Sequence, residues 1–140
     1  MTKEEFLSEL STNLNITLTE KQISELDFYA KFLLEYNEHT NLTAIKTLED
    51  VYLKHFYDSL TIVKNVDLTQ VTTLLDIGTG AGFPGMVLKI VFPNLKVTLL
   101  DSNNKKIAFL KEIASKLALN VEIFMLERKS LFKIAVNIMI

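Results

Sequence analysis

The chain has 140 residues, 49% of them apolar, and a formal net charge of −2, which suits one ordinary domain with a sizeable core and excludes a disordered chain. It contains no cysteine, so neither a disulfide framework nor a thiolate metal site is available, and nothing argues for an oxidising compartment. The start, MTKEEFLSEL, is charged and amphipathic where a secretory signal would be apolar, and no run approaches the roughly 18 apolar residues of a membrane span. The expected location is therefore cytoplasmic, with neither a membrane nor a metal as partner. Arg128 is the only arginine, so any nucleic-acid binding rests on local patches or on a motif.

Thr2-Lys-Glu-Glu5 and Thr19-Glu-Lys-Gln22 both match the capping box, in which a threonine hydroxyl and a side chain three residues later satisfy free amides at a helix start. Two early helices are expected. The second carries Ile23, Leu26, Ala30, Leu33 and Leu34 at helical spacing and meets a polar stretch, Asn37 to Asn41, that reads as a break. A third helix opens at Thr47, with Asp50 three residues on, and runs through VYLKHFYDSL.

Beyond Asn65 the pattern changes. VTTLLDI (71–77) and KVTLLD (96–101) are short, apolar and rich in β-branched residues, the pattern of strands covered on both faces. Between them PGMVLKIVF has the length of a helix. NNKKIAFLKEIASKLAL follows, with Ile107, Leu110, Ala114 and Leu117 on one helical face, and VEIF (121–124) is a third strand. The order predicts a right-handed βαβαβ unit, half of a doubly wound parallel sheet.

All four glycines of the chain, Gly78, Gly80, Gly82 and Gly85, fall within DIGTGAGFPG (76–85), where the first strand turns into its helix. Small residues there let a ligand approach the backbone, and amides at a helix start offer donors. A plain tight turn seldom needs more than one or two glycines. The formal G-x-G-x-x-G match from Gly80 to Gly85 is out of register with the dinucleotide fingerprint, whose first glycine follows the strand directly; counted from Gly78, the third position holds Phe83. Asp76 just before the glycines is ill placed for a pyrophosphate and suits a cationic ligand. S-adenosylmethionine, with an ammonium, a sulfonium and no phosphate, answers that description, and a nicotinamide-dependent oxidoreductase is disfavoured. Asp101 closes the second strand where an acid can accept hydrogen bonds from ribose hydroxyls. Its competing role is to cap the next helix, for which Ser102 and Asn103 are rivals.

DIGTGAGFPG, LKIVFPNLKVTLLDS and NKKIAFL, with NLTAI (41–45) and KHFYDSL (54–60) upstream, resemble the RsmG (GidB) family of bacterial small-subunit ribosomal RNA methyltransferases over about residues 1–123. The resemblance implies N-terminal helices (1–66) packed on a partial Rossmann-like, class I methyltransferase sheet (67–125), followed by an atypical tail (126–140). It implies S-adenosylmethionine as cofactor, 16S ribosomal RNA as partner and guanine N7 as the methylated atom. Gly78 and Phe83 then correspond to cofactor contacts, with Asp76 and Gly80 in the same turn and Asp101 beside the ribose. N7 presents a lone pair that needs no deprotonation, so alignment can supply most of the acceleration and no general base is named. His55 and Asp58, three apart on the third helix, can pair and are candidates for shaping the pocket or holding RNA. Lys54, Lys105, Lys106 and Lys111 are candidate phosphate contacts.

The family pattern stops after Phe124. An Ala-Glu pair expected after the third strand and an arginine after the fourth are not recognisable in MLERKSLFKIAVNIMI. Shifting the reading frame back by one nucleotide near codon 124 permits His-Ala-Arg-Ala-Glu-Glu, close to that motif, and resequencing the gene there tests the shift. The expectation is a truncated chain, with VTTLLDI as an exposed sheet edge, that binds S-adenosylmethionine weakly or not at all and does not methylate RNA. The alternative is a non-catalytic module that binds an adenosine cofactor and works through a partner protein covering that edge.

Overall fold

The computed structural model describes residues 1–139. Helix α1 (Lys3–Leu14) starts where the Glu5 amide donates to the Thr2 hydroxyl at 3.1 Å and the Thr2 amide to the Glu5 carboxylate at 3.3 Å. Helix α2 (Glu20–Thr40) repeats the device with Thr19 and Gln22. Gln22 does more than cap: its Nε2 also donates to the carbonyls of Ile90 and Val91, groups left open at the end of a later helix. Helix α2 ends inside the polar stretch at 37–41, as the sequence predicts, though not at its first residue. Asn37 turns inward, only 4% exposed, and its Oδ1 accepts the Thr43 amide at 2.9 Å. The helix therefore continues to Thr40 and ends on Asn41 in the left-handed conformation at φ +50°.

Helix α3 covers 48–60. Thr47 caps it by accepting the Asp50 amide at 3.2 Å, but its middle, Val51–Tyr57, is wound as a π-helix before one last α turn, Asp58–Leu60. The wider winding sets Val51, Tyr52 and Phe56 inward together. Short 3₁₀ turns at Thr61–Lys64 and Leu68–Gln70 lead to the sheet.

Strand β1 (Thr73–Ile77), helix α4 (Gly85–Val91), strand β2 (Lys96–Asp101), helix α5 (Asn104–Lys116) and strand β3 (Glu122–Met125) form the expected βαβαβ unit. Both strand pairs are parallel, in the order β1-β2-β3, with Ile77 opposite Leu100 and Asp101 opposite Met125. The central strand β2 buries Val97, Leu99 and Leu100, as strands covered on both faces should. β1 is the exposed sheet edge that the sequence predicts: among the described residues it pairs with β2 alone, and Leu75 is 42% exposed on a strand whose residues suit two covered faces. The tail forms helix α6 (Arg128–Met139), which seats Leu131 against β2 and leaves Phe132 exposed.

One apolar core runs through both parts of the chain, from Phe6 and Leu10 to Phe109 and Ile113. At its centre the fully buried Phe56 ring lies 5.4 Å from those of Tyr29 and Tyr52, 6.1 Å from Phe83 and 6.3 Å from Phe6. These rings join the N-terminal helices to the glycine turn.

Candidate cofactor site at the glycine turn

The turn joins the carboxyl end of β1 to α4 and lies against the carboxyl end of β2. Its amides are largely used within the chain. Those of Gly78 and Thr79 donate to the Leu100 carbonyl at 2.8 and 3.0 Å, and those of Gly82 and Phe83 to the Thr79 carbonyl at 3.0 Å. The Gly80 amide donates to Asp101 Oδ2 and the Gly85 amide to Asp76 Oδ2, both at 2.8 Å. Most of the donors expected to be free are thus occupied, four by the Leu100 and Thr79 carbonyls and two by the strand-end aspartates.

The four glycines divide into two pairs. At Gly78 and Gly80, with φ of +73° and +61°, a Cβ would meet nothing within 4 Å, so the chain is bare on that side. At Gly82 a Cβ would run into the Tyr29 hydroxyl and Met86, and at Gly85 into Leu99 and Asp76. The first pair opens a surface; the second lets elements close on each other. Packing therefore accounts for Gly82 and Gly85, the two glycines not named from the sequence as cofactor contacts.

Asp76 is engaged from two sides on one oxygen, accepting the Thr79 hydroxyl at 2.7 Å as well as the Gly85 amide. Burial pushes its carboxyl up from the ordinary value, and the nearby Asp101 adds to this against the opposing pull of those two bonds. Asp101 is 7% exposed, and its other oxygen accepts the Asn103 amide at 2.9 Å. The cap of α5 is Asn103, whose Oδ1 accepts the Lys106 amide at 3.0 Å, so Asp101 steadies the turn before the helix rather than capping it.

Tyr29, on the buried face of α2, packs against this turn, a contact that the spacing of α2's apolar residues does not show. Its ring stacks on Phe83 at 5.4 Å, and its fully buried hydroxyl donates to the Ala81 carbonyl. Burial first, and the Asp76 charge second, hold this phenol well above its ordinary value, so it remains a donor. The missed signal was a tyrosine on a stripe of purely apolar residues, since a buried phenol has to find an acceptor.

On its other side Phe83 stacks on His55, with ring centres 4.1 Å apart and planes within 6°. His55 Nε2 shares a 2.9 Å hydrogen bond with the Thr43 hydroxyl. Among the described residues His55 and Asp58 share no hydrogen bond: His55 Nε2 is engaged by Thr43, while the Asp58 charge still acts on the ring. The two residues do line one cleft, with Lys54, Asn65, Phe83 and Pro84. Lys54 lies 3.8 Å from Asp50; Lys105 and Lys111 are exposed and Lys106 is half-buried on α5.

Burial lowers the His55 pKa below its ordinary 6.5, with Asp58 pulling the other way. Between the folded value and 6.5 the unfolded chain binds more protons, so His55 makes the fold lose stability as pH falls through that window. Thermal melts from about pH 7.5 to about pH 5 should show a smaller loss of Tm in His55→Phe than in the unaltered chain. Equal slopes would show that the imidazole is not buried in the neutral form.

Three parallel strands with crossover helices, a bare glycine turn at the carboxyl end of the first and an acid at the end of the second define a partial class I methyltransferase fold. The family model GidB, described as rRNA small subunit methyltransferase G, matches residues 22–130, and the chain belongs to this family. It is 46% identical over 132 residues to ribosomal RNA small subunit methyltransferase G of Bacillus velezensis, covering 94% of this chain and 55% of that protein. The protein of the same name from Bacillus subtilis is 45% identical over the same shares. That of Lactococcus lactis subsp. lactis is 50% identical over 120 residues, 85% of this chain and 50% of the relative. The chain spans about half the length of the curated relatives it matches. Among the described residues no helix is long and apolar enough to cross a membrane, and no group of His, Cys, Asp and Glu could hold a metal ion.

Proposed function

We propose that the chain carries the S-adenosylmethionine-binding part of an enzyme that methylates guanine N7 in 16S ribosomal RNA in the cytoplasm. The observation that carries this reading is the bare backbone at Gly78 and Gly80 beside Asp101. A ligand can lie on those two residues, while each Asp101 oxygen, already accepting one amide, keeps a lone pair for a ribose hydroxyl. Asp76 supplies negative potential toward the cationic end of the ligand, and Phe83 walls the same turn. The occupied amides argue for a ligand without phosphate, since a pyrophosphate would need those donors free. The cofactor, when bound, supplies an electrophilic methyl group. The work left to the protein is to hold the purine in line with it, which needs no proton transfer before attack.

The isolated chain is expected to bind S-adenosylmethionine weakly, with a Kd of about 1–10 mM, and to transfer no methyl group to small-subunit RNA. Titration followed by ¹H–¹⁵N NMR should move the amides of Gly78, Gly80 and Asn103. Shifts elsewhere, or none, would refute the site; micromolar binding by calorimetry would refute the view that these strands form only part of it. A second reading, a non-catalytic adenosine-cofactor module completed by a partner protein, draws support from the open edge of β1 and its exposed Leu75. A stoichiometric hetero-oligomer would favour it, and an aggregating monomer would count against it.

A further inference from the structure

The cleft on the α3 side of Phe83 has a volume of about 300 Å³. Phe83 belongs both to this cleft and to the glycine turn, while Gly78, Gly80 and Asp101 lie outside the cleft's lining. Most polar side chains around it are already engaged. Ser59 donates to the His55 carbonyl and Thr61 to the Asp58 carbonyl, His55 is tied to Thr43, and Lys54 faces Asp50. The exposed Asp58 carboxylate, like the Asn65 side chain, has no hydrogen bond or ion pair among the described residues, and it lines the cleft beside the flat Phe83–His55 stack.

An unpaired carboxylate beside aromatic walls calls for a planar ligand with two adjacent N–H donors, which it can accept in parallel. Guanine offers N1–H and the N2 amino group side by side. Adenine, cytosine and uracil each place a lone pair next to their donor on that edge, which the carboxylate would repel. A guanine held by this edge leaves N7, on a different edge of the ring, uncovered.

We infer that this cleft seats the substrate base and that Asp58 selects guanine by accepting its N1–H and N2–H. The inference rests on the methyltransferase reading above and deepens it by naming a specificity-determining residue. It is tested with the ¹⁵N-labelled chain and three nucleotides, GMP, IMP and AMP. GMP should shift the amides of His55, Asp58 and Phe83 and bind about tenfold more tightly than AMP, with IMP, which lacks the amino group, in between. In Asp58→Asn the preference for GMP over AMP should fall to within about twofold. Equal affinities for GMP and AMP in the unaltered chain, a preference that survives Asp58→Asn, or no shift in this cleft at about 10 mM GMP would each overturn the assignment. S-adenosylmethionine added to the same samples separates the two claims. Movement of Gly78 and Gly80 without a guanine preference removes only the role of Asp58, whereas their silence removes the cofactor reading itself.

Discussion

Replacing Gly82 by alanine should destabilise the chain by about 3–5 kcal/mol, enough to unfold much of a marginally stable domain at 25 °C. The backbone there has φ +105°, and a Cβ would lie 2.9 Å from Met86 Cβ and 3.1 Å from Leu110 Cδ2 as well as against the Tyr29 hydroxyl. Strained backbone costs about 1–3 kcal/mol and forced overpacking about as much again. Tyr29 cannot step aside cheaply, since its ring is clasped by Phe83 and Phe56 and its hydroxyl is spent on Ala81. Gly80→Ala is the control: its positive φ costs about 1–2 kcal/mol, but no atom stands in the way. Urea unfolding followed by circular dichroism measures both. Equal losses would mean that the turn is not locked on Tyr29.

Phe56→Ala should cost about 3–5 kcal/mol, the range for removing a large buried ring. Phe56 is fully buried among Phe6, Tyr29, Tyr52 and Phe83, whereas Leu53, three residues earlier on α3, is 39% exposed. Leu53→Ala should change stability by no more than about 0.5 kcal/mol. Because Phe56 touches both Tyr29 and Phe83, its loss should also move the amide resonances of residues 78–83, a response that a purely local cavity would not produce. A truncated Phe56 with an undisturbed turn would show that the helical part and the turn are independent.

These couplings mark the boundary of what the sequence discloses. Capping boxes are local, so Thr2, Thr19 and Thr47 announce their helices. Period and β-branching likewise suffice for the strand–helix alternation. Helix α2 ends within the polar stretch at 37–41, but Asn37 at its start is buried and hydrogen-bonded to Thr43, which the helical period does not show. The π winding of α3 carries no compositional mark. β1 carries residues suited to two covered faces, but its surroundings depend on which strands stand beside it.

At the site, the glycine cluster and the two strand-end acids stand out in the sequence by residue type and spacing, and Phe83 by its register with them; which of them meets a ligand is not carried by spacing. Tyr29 does not stand out, because its partner Ala81 lies 52 residues away. Nor could spacing reveal that Asp76 and Asp101 bind their own turn before they meet anything else.

The split between the two pairs of glycines implies that the turn ages at two speeds. Positions 82 and 85 answer to folding alone and would stay glycine even in a descendant that had stopped binding anything. Positions 78 and 80 would be free to drift to asparagine or aspartate, which tolerate left-handed backbone, once nothing had to be admitted there. A lineage that abandoned its chemistry would record the fact in one half of the motif while the other half still looked intact.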